Sequence, residues 1–325
     1  MKTDPAERIE ICSDIRVSRL GHGGAALGGW PRDIGEHEAR EIIQRCLSVG
    51  INYFDTAPLY GSGRSEMRLG TALSEVPRSN FIISTKVGYS LVPLSEGSKN
   101  SFFENSLPYS VKQDFSRTAV EISIKESLDR LKTDYLDMVF LHDPDAHIPE
   151  ALNEALPALR SLKDSGVVRA IGVGVKSHET LLTLVQRAEF DVVMLSGRYT
   201  LLEQEPLNEL FPLLQKREIP LILGGTYNSG ILAGTSSYEY ASAPPLVAQK
   251  VESITKVASK YGVDLRAVAN QFCLAHPCVY SIIPSVLNSA QIDENIEMLR
   301  CPIPAELWTE LKELELLHKD APVPA

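Results

Sequence analysis

Apolar and polar positions along this chain switch repeatedly between two periods. Short apolar runs end at Asp55, Lys86 and Leu141, and four more cover residues 167–173, 191–195, 219–223 and 279–283. Their length and composition predict buried strands. Between them, apolar residues recur every three or four positions over residues 36–49, 65–73, 117–131, 151–165, 179–186, 207–216, 246–260 and 265–275, which predicts helices. In the first of these, Ala39, Ile42, Ile43, Cys46 and Leu47 share one face, and Gly50 supplies a C-terminal stop. The Gly-rich segment 20–28 adds a strand at the front, so eight strands are expected, each separated from the next by helix.

Uniformly apolar strands alternating with helices imply a parallel sheet covered on both faces. Eight such units predict an α/β chain folded as a (β/α)8 barrel. Residues 11–19 are expected to form an N-terminal β-hairpin over one end, and 289–299 and 305–316 to form C-terminal closing helices. Residues 88–113 read as a long polar loop carrying Tyr89, Phe102, Phe103 and Tyr109, and a loop of that length is usually functional or disordered. A doubly wound open sheet is the alternative. Its G-x-G-x-x-G turn is missing, because Gly21, Gly23 and Gly24 lack the spacing. No internal repeat or low-complexity segment divides the chain, so residues 1–325 are expected to be a single domain.

Charge narrows the class of partner. With 32 Lys and Arg against 42 Asp and Glu, the net charge is −10, which argues against a nucleic-acid footprint and for a small-molecule partner. The 5 cysteines are scattered and form no Cys-x-x-Cys pair, so neither a disulfide framework nor a metal site is suggested. The first ten residues are polar, and no apolar run is long enough for a bilayer. A cytoplasmic protein without membrane partners, a monomer or small homo-oligomer, is the expectation.

The candidate chemistry sits where strands end. In a barrel the C-terminal ends of the strands carry the active site. Asp55, Lys86 and His142 end the second, third and fourth expected strands, and Tyr60 follows five residues after Asp55. Neighbouring parallel strands lie about 4.8 Å apart, so the three ends fall within one shell with Tyr60 arching over it. A free phenol titrates near ~10. A cation close by lowers that value. Lys86, held by Asp55, is therefore expected to make Tyr60 a usable proton acceptor, with His142 orienting the substrate oxygen. Asp55 and Lys86 alone would serve equally as a structural ion pair; four such groups at consecutive strand ends favour chemistry.

The segments 54–61 (Phe-Asp-Thr-Ala-Pro-Leu-Tyr-Gly), Ser65-Glu66, 84–88 (Ser-Thr-Lys-Val-Gly) and Leu141-His142-Asp143 resemble the aldo-keto reductase family. Asp55, Tyr60, Lys86 and His142 match that family's catalytic tetrad in order. The resemblance implies the barrel fold and hydride transfer with a nicotinamide cofactor. Segments 142–145, 196–202 and 224–232 are most similar to the family's branch of aldose, L-fucose and pyridoxal dehydrogenases.

By the same resemblance, Ser285, Gln291 and Asn295 are expected at the adenosine, and Gly224, Asn228 and Ser229 belong to a loop suited to wrapping the pyrophosphate. Relatives that use NADP carry Lys or Arg in the adenosine segment. Residues 285–295 contain none and include Asp293 and Glu294, so NAD is expected over NADP. Two positions depart from the family pattern. Gly174-Val175 replaces a Ser-Asn pair that holds the nicotinamide amide, and Gly224 replaces a stacking Tyr. Ser196 and Tyr199 are the candidates to compensate, and Trp30, Tyr89 and Tyr199 are candidates to line the substrate pocket. The expected reaction is NAD-dependent oxidation of the C1 hydroxyl of an aldose of the L-fucose, D-arabinose or L-galactose type to its lactone. Pyridoxal or another aldehyde or alcohol is the alternative substrate. A non-catalytic regulatory subunit on the same fold is a third reading, which the intact tetrad disfavours.

Overall fold

The computed structural model describes residues 4–12, 14–95 and 103–324. Eight parallel strands form the sheet: β1 (His22–Gly23), β2 (Tyr53–Asp55), β3 (Ile82–Val87), β4 (Leu136–His142), β5 (Val168–Val175), β6 (Val192–Ser196), β7 (Leu221–Gly224) and β8 (Val279–Ile283). Each strand pairs with its neighbours in sequence from β1 to β8. The two edges then meet. Gly21 N–H donates to Ile282 O at 2.8 Å, Ile282 N–H to Arg19 O at 3.0 Å and Gly23 N–H to Pro284 O at 3.2 Å, which closes the sheet into a barrel.

Period-two alternation sorts every strand into an inner and an outer face. Tyr53, Met138, Phe140, Ala170, Val192, Met194, Ile222 and Ile283 fill the barrel interior. Phe54, Ile83, Val139, Leu141, Ile171, Val193 and Leu223 point outward into the layer covered by helices. The antiparallel hairpin Arg8–Cys12 with Ile15–Ser18 adds Ile11, Ile15 and Val17 to the interior, stoppering the N-terminal end of the barrel. It begins three residues before the expected segment.

Several boundaries differ from expectation. The Gly-rich segment gives only the two-residue β1 and then a 3₁₀ turn, Ala26–Gly28. The reason is crowding: a Cβ on Gly23 would lie 2.6 Å from Ile283 O, and one on Gly24 would lie 2.6 Å from Asp55 O. The small residues let three strand ends converge rather than extend a strand. The expected loop 88–113 contains an antiparallel hairpin, Tyr89–Pro93 with Tyr109–Gln113. Its strands are half-buried or exposed, so no apolar alternation marks them. Phe102 lies outside the described residues. A second short hairpin, Ser237–Tyr238 with Ala241–Ser242, projects from the loop after β7. The helix expected over 151–165 runs from Ile148 to Asp164 with a π turn at Ala151–Ala155.

The closing helices Ala290–Arg300 and Ala305–Glu313 are present. All five cysteines are free thiols. Among the described residues, no helix is long and apolar enough to cross a membrane.

Candidate active site

The inward parity of the strands also decides what faces the C-terminal mouth. Tyr53 and Asp55, Ile82, Ser84 and Lys86, and Met138, Phe140 and His142 are alternate residues of β2, β3 and β4. The last member of each series lies at the rim and is ionisable. On the opposite side, Gly174, Ser196 and Gly224 line the same cavity from β5, β6 and β7. One half of the rim supplies charge, and the other half supplies space.

Lys86 Nζ donates to Asp55 Oδ2 at 2.6 Å and to Thr56 O at 2.9 Å. Asp55 Oδ1 accepts from Ser84 Oγ at 2.6 Å, and that hydroxyl is 2.9 Å from Tyr53 OH. The ion pair is almost fully buried, with side-chain exposures of 2% for Lys86 and 3% for Asp55. Lys86 Nζ stands 4.8 Å from the centroid of the Tyr60 ring. His142 meets the same ring edge-on with centroids 6.0 Å apart, so Asp55, Tyr60, Lys86 and His142 form one cluster.

The loop that carries Tyr60 is clamped from below. Ser65 Oγ accepts from Thr56 Oγ1 and donates to Gly24 O, each at 2.8 Å. Buried Glu66 accepts from Thr85 Oγ1 at 2.6 Å and pairs with Arg130 at 2.7 Å. These contacts tie the loop to β3 and to the helix Arg117–Leu131.

Burial first, then the positive charges of Lys86 and Lys176, hold His142 well below its usual 6.5, so the imidazole is neutral. Its Nδ1 is buried without a partner among the described residues. One expectation is corrected. Tyr60 is pushed well above its usual 10, by burial first and by the negative charge of Asp55 next. The charge of Lys86 is met by Asp55 at contact distance, leaving too little positive potential to offset desolvation. The resting phenol is therefore protonated.

A cavity of about 550 Å³ opens above this cluster. Gly224, Asn228, Ser229, Ser285, Gln291, Asn295, Ser196 and Trp30 all line it, together with the four rim residues. Two expected lining residues do not. Tyr199 is 1% exposed and packs among Phe211, Phe272 and His276 in the outer core, so it neither lines the pocket nor replaces the missing nicotinamide contact. Tyr89 is not among the lining residues; it stands edge-on to His142 at 5.2 Å, and its hydroxyl accepts from Gln113 at 3.0 Å.

The cavity's donors and shape fit a nicotinamide dinucleotide. Gly225, Asn228, Ser229 and Gly230 all have left-handed backbone, with φ of 62°, 44°, 59° and 103°. Such a run curves the chain into the kind of turn that cradles phosphate. Asn228 donates to Gly197 O at 3.0 Å, while its Oδ1 is buried with no partner among the described residues. A Cβ on Gly174 or Gly224 would meet nothing closer than 3.5 Å or 3.4 Å respectively, so both positions leave a side chain's depth of space. At the far end, Ser285 Oγ donates to Gly23 O at 2.6 Å, and Asn295 accepts from Tyr227 OH at 2.6 Å.

The structure also brings in residues that the sequence reading gave no role. Arg266 reaches the cavity from the helix Leu265–Ala275. It is bound by Asp264 at 2.9 Å and Glu294 at 2.6 Å, so its charge is already shared between two carboxylates. Asp143 and Lys176 line the mouth, each immediately after a strand end, a signal visible in the sequence. Tyr240, at the tip of the second hairpin, meets Trp30 edge-on at 4.9 Å and carries Lys176 Nζ 4.2 Å from its ring centroid. Nothing in the periodicity announces that hairpin. Among the described residues, no group of three or more His, Cys, Asp or Glu side chains is placed to hold a metal ion.

The arrangement can move a proton at Tyr60 and hydrogen-bond an oxygen at His142 beside a long, dinucleotide-sized cleft. Known proteins are similar to this chain over nearly its whole length. D-threo-aldose 1-dehydrogenase of a Pseudomonas species is 35% identical over 97% of this chain and 98% of its own length. Pyridoxal 4-dehydrogenase of Microbacterium luteolum is 34% identical over 93% of this chain and 95% of its own. An aldo-keto reductase of Bacillus halodurans, solved in its holo form, superposes with a TM-score of 0.78 at 27% identity, covering 95% of this chain and 96% of that one. The family model described as "Aldo/keto reductase family" matches residues 19–316, which contain every barrel strand and the entire rim cluster, and the chain belongs to that family of nicotinamide-dependent oxidoreductases.

Proposed function

We propose that this chain is an NAD-dependent dehydrogenase that oxidises the C1 hydroxyl of a cyclic aldose to the lactone. The observation that carries the reading is the Asp55–Lys86–Tyr60–His142 cluster at the floor of the cavity. Tyr60 exchanges the proton of the reacting oxygen, and neutral His142 hydrogen-bonds that oxygen. Asp55 fixes Lys86 against the Tyr60 ring, and in the oxidative direction the phenol gives up its resting proton to solvent before it accepts that of the substrate hydroxyl. The dinucleotide supplies the hydride acceptor. Gly224, Asn228, Ser229 and Ser196 would hold its nicotinamide and phosphate part, and Ser285, Gln291 and Asn295 its adenosine.

The names of the two relatives support an oxidative reaction on a hydroxylated substrate. The preference for NAD rests on charge. Residues 285–295 carry no Lys or Arg, and Glu294 and Asp264 already occupy Arg266. A 2′-phosphate would meet those carboxylates, with Arg266 already paired to them. The second reading, oxidation of pyridoxal, draws on the aromatic pair Trp30 and Tyr240 at the mouth, which suits a flat ring as well as a sugar face.

Steady-state oxidation of L-fucose, D-arabinose, L-galactose and pyridoxal, each with NAD and with NADP, tests both parts. The expected result is the highest kcat/KM for an aldose with NAD. A clear preference for NADP, or turnover of pyridoxal alone, overturns the corresponding part.

A further inference from the structure

The residue after His142 departs from the geometry of the strand it ends. Asp143 has φ of +45°, left-handed backbone that Asp adopts more readily than most side chains. The turn keeps its N–H on the sheet, donating to Gly174 O at 3.0 Å, and places the side chain in the wall of the cavity. There the two carboxylate oxygens differ. Oδ1 accepts the Lys176 N–H at 3.1 Å. Oδ2 makes no hydrogen bond among the described residues and lies 3.9 Å from His142 Nε2.

That second distance has two consequences. A carboxylate facing Nε2 favours the tautomer of neutral His142 that carries its proton on Nε2, so the imidazole is set to donate to a substrate oxygen. The acceptor beside that oxygen is then Oδ2. The two oxygens of a vicinal diol stand about one hydrogen-bond length apart. A substrate whose reacting oxygen sits on His142 Nε2 can therefore reach Oδ2 with the hydroxyl of the adjacent carbon.

We propose that Asp143 selects the substrate by accepting a hydrogen bond from the hydroxyl next to the reacting carbon. The site thus takes 2-hydroxylated hemiacetals, vicinal diols and the corresponding α-hydroxy carbonyl compounds. This deepens the aldose reading and rests on it. Water competes poorly for this place, because the side chain is only 24% exposed and a bound sugar ring covers it further. A substrate without the hydroxyl leaves Oδ2 facing apolar carbon, and burying an unsatisfied charged acceptor is costly.

The test compares D-arabinose with its 2-deoxy analogue, in the wild type and in Asp143→Asn, with NAD throughout. Asn tolerates the left-handed backbone and keeps an acceptor for the Lys176 N–H, so the fold of the turn is preserved. The wild type should favour D-arabinose over the 2-deoxy sugar by about 10–100-fold in kcat/KM, as befits a hydrogen bond to a charged group. Asp143→Asn should lose most of that factor on D-arabinose and change the 2-deoxy sugar by less than about threefold, with NAD affinity, read by fluorescence quenching, unaltered. Equal wild-type use of both sugars overturns the inference and leaves the aldose reading standing. A loss of equal size on both sugars shows that Asp143 acts only through the structure and also overturns it. No oxidation of either sugar removes the aldose reading and this inference together.

Discussion

The barrel holds a buried carboxylate–cation cluster at each end, and the two are built differently. At the N-terminal end, Asp137 of β4 is fully buried. Its Oδ2 accepts from Arg78 at 2.6 Å and from Ile83 N–H at 2.9 Å, and its Oδ1 accepts from Arg169 at 2.7 Å. Both oxygens are engaged by two guanidinium groups and a backbone amide, on the outward parity that Asp137 shares with Val139. At the C-terminal end, Asp55 holds one lysine, the lysine leans on the Tyr60 ring, and the space beyond is open. Burying an ion pair costs desolvation at either end. The lower cluster offsets that cost with a complete set of bonds. Among the described residues, the upper one keeps a phenol with no hydrogen bond, an unpartnered imidazole nitrogen and a cavity. Saturation therefore separates structural charge from charge available for chemistry, although both begin as a strand-end aspartate.

The largest effect should come from emptying the upper cluster. The double variant Asp55→Asn with Lys86→Met removes both charges together, leaving no isolated buried ion. It should fold with a Tm near the wild type, yet lose about 10²–10⁴-fold in kcat, the range for positioned acid–base catalysis. Retained turnover would erase the contrast between the two ends. Asp137→Asn is the mirror experiment. It should cost about 3 kcal/mol in urea unfolding, the lower part of the range for breaking a buried pair, because both arginines keep some access to water. The folded enzyme should keep kcat within about twofold; a selective loss of turnover would tie the lower cluster to the chemistry.

Acid sharpens the comparison further. His142 at the upper end is held well below 6.5, and burial lowers His22 and His276 to about 4. Each takes up a proton on unfolding once the pH falls below the unfolded value of ~6.5, whereas the native protein does not. Their stabilising contribution is thus complete above pH ~6.5 and declines as the pH drops, by up to about 1.4 kcal/mol per unit for each group. Urea unfolding from pH ~7 to ~5 measures this slope, and a flat profile would show that the native imidazoles are accessible to protons. The smallest effect is expected at Tyr199, whose buried hydroxyl has no partner among the described residues. Tyr199→Phe removes that unsatisfied group and should leave KM unchanged and stability equal or higher by up to ~1 kcal/mol. A raised KM would return the residue to the substrate pocket.

The barrel was legible because its signal is repeated eight times. Apolar runs of strand length, helical periodicity between them and Gly50 at the end of a helix all act locally. The rim cluster was legible because parity puts Asp55, Lys86 and His142 on inward positions of adjacent strands. What the sequence concealed depends on contacts between distant segments. Arg266 gains its place only when its helix packs beside residues 285–295, and the Tyr240 hairpin matters only because its tip reaches Trp30. Tyr199 failed as a pocket residue because an aromatic side chain after a strand end can turn toward either layer, and Phe211 and Phe272 supplied the better packing. The Tyr60 pKa was misjudged in direction because an ion pair was counted as a free cation. Asp55, only 2.6 Å from Lys86, takes up the charge assigned to the phenol.

The central claim is that the Tyr60 hydroxyl handles the proton of the reacting oxygen beside a bound dinucleotide. Tyr60→Phe deletes that hydroxyl and keeps the ring against Lys86. With D-arabinose and NAD, kcat should fall by about 10²–10⁴-fold while the dissociation constant for NAD, measured by fluorescence quenching, stays within about twofold. A variant that binds NAD normally and still turns over at a near-wild-type rate would contradict the account.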